Sequence, residues 1–170
     1  MSNNDKVEHF HTEFADFQEG YVRHYIALAD TKAAVTFGVC SSLLAFVASD
    51  TRLGGILDQR LCSISGLLLI VAFFCLVVGA SLSAWVVLPR LPNVGEGLVF
   101  FGAVKSYQDG RAYMNTIKSQ DETALTSARL QHCYNTSKVC WQKYFFLRIA
   151  MWAAAFSVAL LIVVLTKERF

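Results

Sequence analysis

The side chains of this chain that could do chemistry gather in two places: the string ADTKA, Ala29 to Ala33, and the polar stretch from Tyr134 to Arg148. Asp30 stands about one turn before a window without any charged residue, where an ionised carboxylate is disfavoured unless it is paired. Arg23 lies seven residues earlier on the same helix face but nearly two turns away, and Lys32 points elsewhere. Nearer partners must come from another segment, and Lys138, Lys143 and Arg148 lie at comparable depth if their helix is a neighbour. Two chemistries fit these groups. In one, Asp30 makes a single interhelical ion pair while Lys32 snorkels to lipid phosphates. In the other, the same groups with Tyr134, Asn135 and Thr136 line a pocket at the mouth of a membrane that takes a small anionic ligand.

No catalytic constellation accompanies them. The chain has no Walker loop, no GxGxxG after a strand, no GxSxG, no HExxH and no CxxC pair. His9 and His11 are two apart and point to different sides of a helix; His24 and His132 are isolated in sequence. His132 and Cys133 are adjacent and so diverge on a helix, which weakens a nucleophile and base pairing. The five cysteines show no metal spacing and are expected to serve as small apolar fillers. The expectation is a protein that is not an enzyme and holds no metal.

The elements that position these groups follow from composition. At 170 residues the chain is long enough for one soluble domain, but 55% hydrophobic and 16% charged is too apolar for one. Three windows hold no Asp, Glu, Lys or Arg: Ala33 to Ser49, Leu61 to Pro89 and Ile149 to Thr166, of 17, 29 and 18 residues. A bilayer core takes about 17–25 apolar residues as helix, so each window can span one. Their apolar runs are continuous instead of alternating, which argues against strands. About 30 polar and aromatic residues precede the first window, so the first span is expected to stay in the mature protein. Ser2 and the C-terminal KERF offer no lipid anchor in its place.

Lys and Arg set the orientation. The N-terminal arm and the segment from Pro89 to Arg148 hold eleven of them, against four in the loop Asp50 to Arg60 and the tail. The richer side is the cytoplasm. A formal net charge of +2 is too small to suggest a nucleic acid polymer as partner.

Phe10, Phe14, Phe17, Tyr21, Tyr25 and Leu28 recur in steps of three and four, one face of a helix expected from about Val7 through Ser49. Such a stripe must pack, within the chain or between copies of it. LPRLPNVGEG ends the second span, LVFFGAVKSY is a short apolar segment, and Asp109 to Lys118 is a short helix. From Asp121 onward no Pro or Gly interrupts a second long helix. The fold expected is an all-α membrane protein. Two long helices each continue from a cytoplasmic stalk into a transmembrane span, joined by a third, central span and a small cytoplasmic module. In segments, residues 1–32 form a cytoplasmic arm, 33–49 the first span, 50–61 an external loop and 62–88 the second span. Residues 89–148 form the cytoplasmic module and stalk, 149–166 the third span and 167–170 an external tail.

HYIALADTKAAVTFGVCSSLLAF, LVFFGAVKSY and QHCYNTSKVCWQKYFFLR, in that order and in those surroundings, resemble the membrane effectors of bacterial Pycsar antiphage systems. The resemblance spans roughly Tyr21 to Leu165 and is most specific in ADTKA and in Ser137, Lys143, Tyr144, Leu147 and Arg148; Cys140 stands where the family often has an apolar residue. It implies a partner pyrimidine nucleotide cyclase that makes cCMP or cUMP after phage infection, and an effector that answers by impairing the inner membrane and killing the cell. The chain is then a multi-pass inner-membrane protein with a cytoplasmic N-terminus, without cofactor, activated by a cyclic pyrimidine mononucleotide and assembled as a homo-oligomer in the lipid bilayer. Arg23, Asp30, Lys32, Asn135, Lys138 and Lys143 are the candidate ligand-binding or gating residues. The competing expectation is a structural or scaffold membrane protein in which ADTKA only pins helices together.

Overall fold

The computed structural model describes residues 3–50, 63–89 and 98–167. The expected external loop and tail, apart from Asp50 and Lys167, and the Pro-Gly stretch following Pro89, fall outside them. Every regular element described is a helix: α1 (Asn3–Ser49), α2 (Ile64–Val87), α3 (Phe101–Val104), α4 (Gly110–Ser119) and α5 (Glu122–Lys167). Among the described residues there is no strand. α1, α2 and α5 are long and apolar enough to cross a membrane.

Local chemistry accounts for the visible ends. Ser63 caps α2, its hydroxyl accepting from the Gly66 amide at 3.1 Å. That helix stops where Pro89 forces Leu88 into an extended conformation, φ −58° and ψ 133°. Asp109 caps α4 by accepting from the Ala112 amide at 2.7 Å. Asp121 precedes α5 and accepts from the Ala124 amide at 2.9 Å, and these bonds hold its carboxyl below the usual carboxylate value.

The chain divides into two compact units, and α1 and α5 each contribute to both. The first comprises Met1–Ala27 and Pro89–Trp141. Here α1 turns Ala15 and Val22 inward, and the Cys133 thiol lies 3.9 Å from the Ala15 carbonyl, where burial pushes it above the ordinary thiol value. Tyr113 donates to the Leu98 carbonyl at 2.9 Å, and Phe100 of LVFFGAVKSY faces the His132 ring with centroids 6.3 Å apart. That apolar segment contains only the single turn α3. On the aromatic stripe of α1, Phe10, Phe14, Phe17 and Tyr21 are all exposed.

The second unit comprises Leu28–Leu88 and Gln142–Phe170. α2 buries Ser65, Leu69, Ala72, Leu76, Gly79, Ser83 and Val86, alternating steps of four and three. α5 buries Lys143, Leu147, Ala150, Ala154, Ser157, Leu161 and Val164 in the same rhythm. A 3.5-residue repeat of this kind is the seam of left-handed helix packing. Half of these fourteen positions are Gly, Ala or Ser, because between apolar helices in lipid the gain comes from close approach and hydrogen bonds. At Gly79 three helices converge: a Cβ there would stand 3.1 Å from Cys40 Sγ on α1 and 3.4 Å from the Ala150 carbonyl oxygen on α5. Two steps along, the Ser157 hydroxyl donates to the Ala72 carbonyl at 2.8 Å.

Candidate functional site

The polar centre of the second unit is Lys143. Its ammonium donates to Asp30 Oδ1 at 2.5 Å and to the Val86 carbonyl oxygen at 2.7 Å. The lysine is 5% exposed, and Ala29, Ala33, Val86 and Leu147 form the apolar cluster around it, with Tyr144 and Phe146 packed alongside. One cation therefore ties α1, α2 and α5 together.

Each arm of this clasp has a separate cause. Asp30 and Ala33 are three apart on α1, so the carboxylate leaves the helix beside the small residues that let α5 come close. Val86 lies in the final turn of α2, where the last carbonyls of a helix lack intrahelical partners and carry the negative end of its dipole. α2 has no basic residue in that turn, so the cation comes from α5. An ammonium this buried requires such compensation, since an unpaired charge in apolar surroundings costs several kcal/mol. Chemically the clasp is an electrostatic lock. Its carboxylate side chain is 36% exposed, so one side of the lock is open.

Of the six candidate residues, the structure brings Asp30 and Lys143 together. Of the three bases expected as partners of Asp30, Lys143 takes the role. Lys32 is exposed, and among the described residues its ammonium meets no carboxylate. Arg23 pairs with Glu19, one turn earlier on its own helix, rather than with Asp30. In α5, Asn135 accepts from Gln131 at 3.5 Å and Lys138 sits 4.5 Å over the Tyr134 ring.

The sequence alone misses a second ionic group, in the first unit. Arg129 donates to Asp16 and, at 3.4 Å, to Glu19, and the bond to Asp16 holds its guanidinium above the ordinary value. Asp16, Glu19 and Arg23 stand three and four residues apart, a charge pattern that reveals their shared helix face. Nothing local points to Arg129, 113 positions from Asp16. The Val86 carbonyl is likewise invisible to a search among side chains.

The two stretches that the clasp joins, ADTKA and the one containing Lys143, are those in which the family resemblance is most specific. A Pycsar effector protein domain matches residues 14–167 of this chain. The chain belongs to the Pycsar effector family. The Pycsar effector protein SaPycTM of Staphylococcus aureus is 24% identical to it over 137 residues, which cover 80% of this chain and 82% of that protein. No solved structure matches. This Pycsar effector is thus a membrane protein of antiviral defence, in a family of effectors rather than a known catalytic family. The family implies a partner cyclase and cyclic nucleotide signalling.

Proposed function

We propose that this chain is a ligand-gated, non-enzymatic membrane effector. It is activated by cCMP or cUMP from the partner cyclase and impairs the bacterial inner membrane as a homo-oligomer whose N-terminus is cytoplasmic. The observation that carries this is the clasp: a single buried ammonium holds α1, α2 and α5, so one competing interaction loosens three membrane-capable helices at once. A ligand shifts such an element only by binding its two states with different affinity. α1 and α5 each run without a break from one unit into the other, which gives a bound ligand a mechanical route to Asp30 and Lys143.

The ligand chemistry suits the exposed candidates. A cyclic pyrimidine mononucleotide offers one phosphate charge, a flat ring and an edge of hydrogen-bonding groups. Arg23 and Lys138 supply cations, the 56% exposed Tyr134 a ring face, and Asn135 an amide that both donates and accepts.

The test uses the purified chain in liposomes loaded with a self-quenched dye. Addition of cCMP or cUMP is expected to release dye, 5′-CMP is not, and the cyclic nucleotide is recovered unchanged. Absence of both binding and release removes the gating mechanism and leaves a scaffold. Linearised nucleotide in the recovered sample would make the protein an enzyme.

A further inference from the structure

The first half of α1 has two seams of different kinds. The inner one is small: Ala15 and Val22, seven residues apart, are 0% and 5% exposed. The outer one is aromatic: Phe10, Phe14, Phe17 and Tyr21 are 65%, 48%, 66% and 49% exposed, with Tyr25 at 38% beside them. The first four advance by four, three and four residues, the alternation by which one helix meets another along a 3.5-residue repeat. Their rings already form a ridge, Phe17 stacked near Tyr21 at 6.1 Å and Tyr21 near Tyr25 at 4.6 Å between centroids.

Area and charge choose the occupant. An aromatic side chain carries about 150–250 Å² of buriable surface, so five half-exposed rings offer on the order of 500 Å² per copy. Two copies then bury about 1,000 Å², which reaches the size of a specific interface. A helix that lies on anionic lipid carries basic residues along its polar face. Here no Lys or Arg occurs between Phe10 and Val22, so the segment lacks the basic residues that hold a helix on anionic lipid. Between two copies the repulsion of acidic side chains is reduced, since Asp16 is paired with Arg129 and Glu19 with Arg23.

The geometry points to this outer face of α1 as a parallel, in-register helix–helix interface with a second copy of the chain. A multi-span chain inserts in one orientation, so α1 of two copies in one membrane runs the same way and each ring meets its own counterpart. The proposal deepens the homo-oligomer named above and is independent of the nucleotide.

The experiment places single cysteines in the full-length chain in its native membrane, Phe17→Cys and Tyr21→Cys on the seam and Asp16→Cys and Arg23→Cys off it. A short bismaleimide is added, and the native chain with its own cysteines sets the background. The seam positions are expected to give at least tenfold more doubled-mass product than the others. Equal product at all four positions, or none at the seam, overturns the proposal. Product only off the seam does so too, while leaving a homo-oligomer standing, and product of a mass other than twice the chain replaces the second copy by another protein. As a variant that does not depend on cysteine, differently tagged Phe14→Glu and Phe14→Lys chains are mixed. In-register pairing makes each capture the other at least tenfold better than itself, and no preference refutes the register.

Discussion

In the unit formed by residues 28–88 and 142–170, helices meet through Ala72, Gly79, Ala154 and Ser157, and the one cation at the seam is 5% exposed and doubly bonded. In the unit formed by residues 1–27 and 89–141, the cations lie nearer solvent, Arg129 at 29% and Arg23 at 71% exposure, and large rings stand outside. The same two helices supply both arrangements. Where the surroundings are as apolar as the side chains, expelling them gains little, so packing relies on proximity and on a few polar bonds. Where water surrounds the helix, ion pairs are screened and worth about 0–1 kcal/mol, and exposed rings retain a drive to be covered.

Three pairs of substitutions and one single change would break or sharpen that contrast. The largest effect is expected at the clasp. Asp30→Ala strands an almost fully buried ammonium and should cost about 3 kcal/mol or more in detergent unfolding, and Lys143→Met should cost less, because the carboxylate it leaves is one-third exposed. Equal losses would mean that the two ends share one environment. Glycine comes next. Gly79→Val pushes a branched side chain against Cys40 Sγ and the α5 backbone and should cost about 1–3 kcal/mol. Gly20→Ala in the other unit meets nothing within 4 Å and should stabilise by about 0.5–1 kcal/mol through helix propensity. A smaller opposition holds between two buried serines of one seam. Ser157→Ala loses its bond to Ala72 and should destabilise by about 1 kcal/mol. Ser83, whose buried hydroxyl has no partner among the described residues, should become more stable or stay level as alanine. Smallest is the cap of α5. Because folding lowers the Asp121 pKa, its contribution is complete above the ordinary carboxylate value and disappears as pH falls through the lowered one. Protection of the Ala124 amide, as its exchange rate relative to that of an unstructured peptide at the same pH, should fall in that acid window, and Asp121→Asn should flatten the pH dependence.

Much of the architecture could be read from charge alone. Three uncharged windows point to the three helices able to span, and uninterrupted stretches without Pro or closely spaced Gly predict α1 and α5 as single helices. The clasp could be read halfway: Asp30 at the margin of an apolar window demands a cation, but depth leaves Lys138, Lys143 and Arg148 equivalent. The packed seams leave no mark in hydropathy, because the spans are apolar all round and their faces do not contrast. Residue size marks them, through Gly79, Ala72 and Ala154. Size also marks the inner face of α1, Ala15 and Val22, while the rings of the aromatic stripe, expected to pack within the chain or between copies of it, stand exposed.

The order in which the clasp is assembled has its own consequence for biosynthesis. Asp30 and Val86 leave the ribosome first, and the lysine that satisfies both follows Asp30 by 113 residues, roughly 6–23 s later at ordinary elongation rates. During that interval the first two helices hold a carboxylate and a helix-end carbonyl without their cation. The last helix therefore enters as the counter-ion of the first two, and a product released before residue 143 lacks the charge that would lock it.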